Sequence, residues 1–361
     1  MSAPLVSVLV PTRDRIGFLK KSLATILNQT FHSIEILIGD NASTDGTAEL
    51  CRQTAAADSR VRHLRSETPL SIYANHNRLI EQAQGDYLCF LHDDDEFDQT
   101  LLQEEVSFFN VHPLAGIVSP DWTLIDEEGK VLGTRDHAVP ELEEGPAFIE
   151  RTLRAGQSSV GLSGTMIRRA ALLGTRFDES GPVGFGDFAF WFEISERASV
   201  GHIPKRLYFY RLHTRSHSRK SILSIAQDYQ RALLTYCDNH LKRWPKHETL
   251  VSGWRHLINR YLFWLMAYSI SLHFSKSGSN GKPASNGHTS GRYRTVLDLM
   301  DMRLTEAEFR ELLAQFRSLR TGPVEAIARG AINFFVATRW TWPLQQLAPH
   351  APAFRGILKL Q

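Results

Sequence analysis

Apolar runs and helical spacings alternate over roughly the first hundred residues, and that alternation narrows the fold more than any other feature of the chain. Val6-Ser7-Val8-Leu9-Val10 is a β-branched run stopped at Pro11, and Ile16, Leu19, Leu23 and Ile26 or Leu27 follow at helical spacing. Residues 34–38 form a second strand, and the turn-rich Asp40-Asn41-Ala42-Ser43-Thr44-Asp45-Gly46-Thr47 leads into a helix through about residue 57. Residues 61–64 read as a third strand and residues 72–83 as a helix. Gly85 then opens the apolar, aromatic run Tyr87-Leu88-Cys89-Phe90-Leu91. Strands separated by helices predict a parallel sheet with right-handed crossovers and a ligand crevice at the carboxyl ends of the strands.

That last strand runs straight into His92-Asp93-Asp94-Asp95-Glu96. Three adjacent carboxylates repel one another, so their place at the end of a core strand calls for a compensating cation, of which a divalent metal is the obvious one. In isolation such a run reads more readily as a solvated acidic turn. Its position changes the balance, because the loops at residues 11–14, 40–45 and 92–95 would converge on one sheet edge. No Gly-x-Gly-x-x-Gly follows the first strand, and no phosphate-binding Gly-Lys-Ser/Thr loop is present, so phosphates would be held by metal, side chains and helix ends. Thr12 or Asp14 is placed to cap the first helix, whose N-terminus beside Arg13 and Arg15 would favour an anion.

A net charge of +2 argues against a general nucleic-acid binder, which carries a marked basic excess. Local charge is more informative. Residues 197–227 contain Arg197, Lys205, Arg206, Arg211, Arg215, Arg219 and Lys220 and no Asp or Glu. Cys51, Cys89 and Cys237 are too few and too widely spaced for a disulfide framework or a zinc site, which points to a reducing compartment. Met1 is followed by Pro4 and a strand-like run without the features of a signal peptide. Residues 261–274 are apolar but fall short of the about 20 needed to cross a bilayer.

Further along, residues 101–109 and 144–154 read as helices, residues 115–118 as a strand, and residues 123–132 as a hairpin around Glu127-Glu128-Gly129-Lys130. Residues 164–168 and 207–211 read as strands. Asp187 follows a glycine-rich loop and heads an aromatic helix, a position that suits an N-cap, a catalytic base, or both. Phe185, Phe188 and Trp191 sit at a spacing that usually means core packing, with stacking on an acceptor sugar as the other reading. From about Ser221 the pattern is helical, broken at residues 276–292 by a Ser-, Gly- and Asn-rich stretch expected to be a disordered loop. Residues 331–342 are dense in Phe, Trp and Ile, as in a core-packing helix or one lying at a membrane surface.

Several of these pieces, in order and spacing, resemble the family-two glycosyltransferases of the GT-A fold. They are residues 6–13, Asn28-Gln29-Thr30, residues 38–47, Asn77 with Gly85-Asp86-Tyr87, residues 92–95, Gly186-Asp187, and Tyr210-Arg211-x-His213. The match spans roughly the first 220 residues. It implies a GT-A-type, Rossmann-like mixed α/β sheet flanked by helices over residues 1–220, followed by a mostly helical region over residues 221–361. It also implies an inverting, metal-dependent hexosyl or N-acetylhexosaminyl transfer from a nucleotide-diphosphate sugar to a glycan or lipid-linked acceptor, as in bacterial polysaccharide or envelope assembly.

By resemblance, Pro11, Thr12, Arg13, Asp40, Asn77, Asp93, Asp94 and Arg211 would contact the donor, with Asp40 on the nucleotide base and Asp93 on the ribose or sugar. Asp94, Asp95 and His213 would contact Mn²⁺ or Mg²⁺, and Asp187 would be the general base. The family often has an acid where this chain has His92, which leaves open by one position which of Asp93, Asp94 and Asp95 form the Asp-x-Asp pair. A cytoplasmic setting is implied, with peripheral contact at the inner membrane. The helical region matches no named motif and leaves an acceptor site, a homo-oligomer contact and a membrane-facing surface all open. Two other readings stand beside this one: a non-catalytic sugar-nucleotide or glycan-binding protein, and a sugar-phosphate nucleotidyltransferase. The second would carry a glycine-rich basic loop where Pro11-Thr12-Arg13-Asp14-Arg15 stands.

Overall fold

The computed structural model describes residues 5–183, 185–213, 222–277, 306–319 and 329. The chain divides into two compact units, Met1–Ile149 with Ser158–Ser216, and Glu150–Gln157 with His217–Gln361. In the first, strands β1 (Val6–Thr12), β2 (Ile34–Asp40), β3 (Val61–Arg65) and β4 (Tyr87–Phe90) alternate with helices α1 (Ile16–Leu27), α2 (Thr47–Ala57) and α3 (Ile72–Gln82). β1 lies parallel to both β2 and β4, and β3 lies parallel to β2, as the alternation predicts. β2 is buried along its whole length, as a strand in a sheet covered by helices on both faces is, and Glu35 within it is held by Ser7 Oγ and Arg62 Nη1.

Beyond β4 the chain adds β5 (Glu96–Phe97), α4 (Leu101–Val111), β6 (Ala115–Ile125), β7 (Val131–Arg135), β8 (Leu142–Glu143), α5 (Gly145–Ala155), β9 (Thr165–Arg168), α6 (Arg169–Leu172), α7 (Gly186–Ser195) and β10 (Ser199–Arg211). The sheet runs β3-β2-β1-β4-β9-β6-β10-β5, with β7 on β6 and β8 on β10. β9 is antiparallel to β4 and β6, whereas β6 and β10 are parallel, so the sheet is mixed. β4 lies inside it, and Leu88, Cys89 and Phe90 are fully buried. At about 1.5–3 kcal/mol per large apolar side chain, that burial anchors the strand from which the acidic turn departs.

Two strands are longer than their patterns predict. β6 continues through Pro120, and β10 begins at Ser199. Pro120 has no N–H for the ladder, and the register opposite it slips between Ile203 and Arg206, so the two strands absorb the proline as an irregularity and pair again beyond it. The predicted hairpin forms between β6 and β7, turning at Gly129 with φ 97°.

The second unit contains α8 (Ile222–Arg243), a 3-10 turn (Pro245–His247), α9 (Glu248–Ser277) and α10 (Glu306–Ser318). Tyr229 packs on Tyr261 at 4.8 Å between ring centres, Tyr236 on Trp254 at 5.8 Å, and Phe263 on Phe316 at 4.8 Å. The apolar run at residues 261–274 therefore lies within α9, and Tyr261, Leu262, Phe263, Leu265 and Met266 are core. Among the described residues no helix is long and apolar enough to cross a membrane. The stretch beyond Ser277 up to residue 292, Arg215, and residues 331–342 lie outside the described residues.

Candidate functional site

The loops after β1 and β2 are tied into one unit. Asp14 and Ala42 take left-handed backbone conformations, φ 50° and 56°, uncommon for residues with a side chain and typical of functional loops held by their surroundings. Asp14 N–H donates to Ser43 Oγ at 3.0 Å, while Asp14 Oδ1 accepts from Thr44 N–H at 2.7 Å. Neither Thr12 nor Asp14 caps α1. Asp45 instead reaches across from the second loop and accepts the Ile16 N–H at 3.1 Å. Asp14 is already committed to Thr44, so capping passes to a residue distant in sequence.

Asp40, at the end of β2, is fully buried. It accepts from Ser43 N–H at 3.0 Å and from Arg65 Nη1 at 2.5 Å, and His63 Nε2 lies 3.4 Å away. Burial pushes its carboxyl up, but the Ser43 and Arg65 contacts prevail and hold it below its usual range, so Asp40 is ionised. Pro11 is half-buried, Thr12 is buried, and Arg13 is exposed beside Asp14.

The acidic turn leaves β4 with Leu91 N–H still bonded to Leu9 O at 3.0 Å and His92 N–H on Ser163 Oγ at 3.1 Å. Its carboxylates differ sharply in surroundings. Asp93 is buried, and burial followed by the neighbouring charge of Asp94 raises its carboxyl to about 7 against the opposing pull of Arg15. Burial also works on Asp94, yet its contacts with His213, Arg15 and His92 outweigh it and hold the group well below the usual range. Arg15 Nη1 lies 3.3 Å from Asp93 Oδ1 and also bonds Asp94 Oδ2. His213 Nε2 lies 3.0 Å from Asp94 Oδ2, with its ring 4.5 Å from that of Phe18.

Asp95 is almost fully buried and accepts Arg211 N–H at 2.9 Å. Burial, then the charge of Asp94, pushes its carboxyl well above the usual range. Asp95 Oδ2 has no hydrogen-bond partner among the described residues, an expensive state for a buried carboxylate oxygen unless something else binds it. His92, Asp94 and Asp95 each offer one ligand atom, and these atoms lie within 4.8 Å of one another. An orphaned carboxylate oxygen, a second carboxylate held ionised and an imidazole nitrogen fit a divalent cation such as Mn²⁺.

Of the expected metal contacts, Asp94 and Asp95 belong to this group. His213 is outside that group, with its Nε2 3.0 Å from Asp94 Oδ2. Arg211 and Asn77 also have other tasks than the expected donor contact. Arg211 is 1% exposed, and its guanidinium is spent on the carbonyls of Asp94, Asp126 and Glu127 and on Glu96. Asn77 gives its amide to Phe177 O at 2.9 Å and accepts Phe177 N–H at 2.9 Å, fastening α3 to the segment before α7.

Asp187 is in the first turn of α7, which begins at Gly186 behind Phe185, so it is past the cap position. It keeps partial exposure, yet burial raises its carboxyl to about 7 against its own and the Phe188 backbone N–H bonds. A Cβ on Gly186 would come within 2.6 Å of the Tyr73 ring, so the chain needs glycine there to bring α7 against α3. On α3, His76 sits 5.7 Å, ring to ring, from His92. The start of α7 and the acidic turn thus rest on the same helix. Phe188 and Trp191 are buried as packing predicts, and Phe185 is partly exposed.

Sequence reasoning gave neither Arg15 nor His92 a contact of its own, although it placed the loop at residues 92–95 on this edge. Arg15 was visible only as a cation near a helix start, because its partners stand 78 and 79 positions away.

Residues 7–176 match the family model described as Glycosyl transferase family 2. Among curated proteins, the chain is 28% identical over 139 residues to a putative teichuronic acid biosynthesis glycosyltransferase, TuaG, of Bacillus subtilis, covering 38% of this chain and 55% of that protein. It is 35% identical over 94 residues to the GalNAc(5)-diNAcBac-PP-undecaprenol beta-1,3-glucosyltransferase of Campylobacter jejuni, covering 26% and 30%. The matches thus span about half or less of these relatives' lengths. Among solved structures, S. aureus TarS 1–349 with UDP-GlcNAc superposes with a TM-score of 0.56 at 15% identity, over 86% of this chain and 80% of that one. The mannosyltransferase PcManGT from Pyrobaculum calidifontis, with GDP-Man and Mn²⁺, superposes with a TM-score of 0.53 at 14% identity, over 99% and 88%. These similarities bear out the resemblance to family-two glycosyltransferases and the GT-A-type mixed α/β fold.

Proposed function

With a family-two glycosyltransferase region at residues 7–176 as the premise, we propose that this protein is an inverting, divalent-metal-dependent glycosyltransferase. It moves a hexosyl or N-acetylhexosaminyl group from a nucleotide-diphosphate sugar to an acceptor hydroxyl in polysaccharide or lipid-linked glycan assembly. The observation that carries this reading is the acidic turn: three carboxylates at the carboxyl end of a central parallel strand, with ligand atoms of His92, Asp94 and Asp95 gathered within 4.8 Å.

His92, Asp94 and Asp95 would hold Mn²⁺ or Mg²⁺, whose charge offsets that of a diphosphate leaving group. Asp40 is ionised and suits an N–H of the nucleotide base; Pro11 and Thr12 line the same edge, and the exposed Arg13 is available to a phosphate. Asp93, raised to about 7, faces the ribose or sugar hydroxyls. Arg211 and His213 hold the acidic turn in shape.

Asp187 takes the proton of the acceptor hydroxyl as that oxygen bonds to the anomeric carbon. The bond from that carbon to the donor phosphate oxygen breaks on the opposite face, the nucleoside diphosphate leaves with the electron pair, and configuration inverts. A carboxyl raised to about 7 is matched to this task near neutral pH. The catalytic domain is assigned to residues 1–220, and the region from residue 221 onward to the acceptor or to a peripheral membrane or subunit contact. Relatives named for teichuronic acid and undecaprenol-linked glycan synthesis support the choice of acceptor class.

Replacing Asp187 with Asn tests the base assignment. Turnover is expected to fall by at least about 100-fold, the span of general-base catalysis, with metal-dependent donor binding intact. Full activity in the variant would refute the assignment. Loss of donor binding together with turnover would place Asp187 in the donor pocket instead.

A further inference from the structure

A second cluster of ligand-type side chains lies where Pro120 interrupts the pairing of β6 with β10. Asp121 follows the proline, 4% exposed, and His202 on β10 is 5% exposed. His137, two residues beyond β7, closes over them. Asp121 Oδ1 accepts the His137 N–H at 2.8 Å and lies 2.9 Å from His137 Nδ1 and 3.5 Å from His202 Nε2. One ligand atom from each residue lies within 4.8 Å of the other two. The histidine rings meet edge to face at 5.8 Å, and Trp122 covers His137 at 4.5 Å. Arg206, the register partner of Asp121, turns its guanidinium to Asp136 at 2.6 and 2.7 Å.

Hydrogen bonding within the cluster does not account for all of it. The Nε2 of His137 is buried and has no hydrogen-bond partner among the described residues. Two imidazoles and one carboxylate, walled by an aromatic ring, form the mixed nitrogen and oxygen donor set that first-row divalent ions take, whereas Mg²⁺ prefers oxygen alone. The site shares no residue with the acidic turn. We propose that Asp121, His137 and His202 bind a Zn²⁺-class ion, a second metal site that ties β6, β10 and the segment after β7 together. Metal affinity there is folding free energy, because three separate elements supply the ligands.

The test uses the full chain carrying Asp94→Asn and Asp95→Asn, which disables the acidic turn and separates this site from the proposed donor site. Titration with Zn²⁺ should give about one equivalent bound, and Co²⁺ should develop visible d–d absorption that Zn²⁺ bleaches. His137→Gln and His202→Gln should each remove the Co²⁺ spectrum and weaken Zn²⁺ binding by at least about 10-fold. Circular dichroism establishes that each variant is folded. If a histidine variant does not fold, the Co²⁺ spectrum of the parent decides: bands showing nitrogen ligation support the site, and their absence overturns it. Absence of stoichiometric binding in the parent, or unchanged binding in folded histidine variants, likewise overturns it.

Discussion

Arg15 sets the charge balance of the acidic turn. Burial alone would lower its basicity, but Asp93 and Asp94 more than compensate, so it stays charged between them. Arg15→Ala leaves two buried carboxylates unbalanced, and breaking such a pair costs about 3–5 kcal/mol. The variant should therefore melt well below the parent in a chelator and recover more stability than the parent does when Mn²⁺ is added. Equal metal-induced shifts in melting temperature would show that the cation and Arg15 act on different groups.

Asp187 makes a pH prediction with a definite sign. Its folded carboxyl titrates at about 7, against about 3.9 in an unfolded chain. Between those values the folded state holds the extra proton, so stability falls as pH rises through that window. Asp187→Asn removes the penalty and should melt higher than the parent at pH 8, with the gap closing near pH 4. The parent's kcat/KM should rise with pH through about 7, since only the ionised carboxyl accepts a proton. Asp40 and the acidic run were legible as candidates because each follows an apolar strand, and Asp187 because it follows a glycine-rich loop at the head of an aromatic helix. Arg15 was not, nor was the structural use of Arg211, because both depend on partners far away in sequence.

β4 shows how an element aims the site. Gly85 N–H bonds Ser7 Oγ at 2.8 Å, and a Cβ at Gly85 would come within 2.7 Å of the Ser7 backbone nitrogen. Backbone cannot yield there as a flexible side chain would. Gly85→Ala should push β4 away from β1, destabilise the protein by about 1–3 kcal/mol, and weaken Mn²⁺ binding at the turn that β4 carries. Thermal melts and a metal titration would check both effects; an unchanged melt would mean that the strand ends move independently. The parallel elements were legible because their patterns repeat with period. The full lengths of β6 and β10 were not, because a proline normally ends a central strand and only the irregularity opposite Pro120 permits it. Asp121, His137 and His202 were hidden for the same reason: the bend that gathers them leaves no local motif.

For the whole molecule, the order of elements in the first unit was predictable because alternating strands and helices admit few topologies. The antiparallel β9 between β4 and β6 was not, since strand order beyond the first four depends on long-range pairing. The proposed function requires that the acidic turn bind a nucleotide-sugar through a divalent ion and that Asp187 act as base on the acceptor. The most direct measurement is transfer or hydrolysis of a panel of UDP- and GDP-sugars, followed with Mn²⁺ and after chelation, in the parent and in Asp94→Asn. At least one donor should be consumed with Mn²⁺ present, with activity lost on chelation and in the variant. Turnover that survives both chelation and Asp94→Asn, or no turnover of any donor with Mn²⁺ present, would contradict the account.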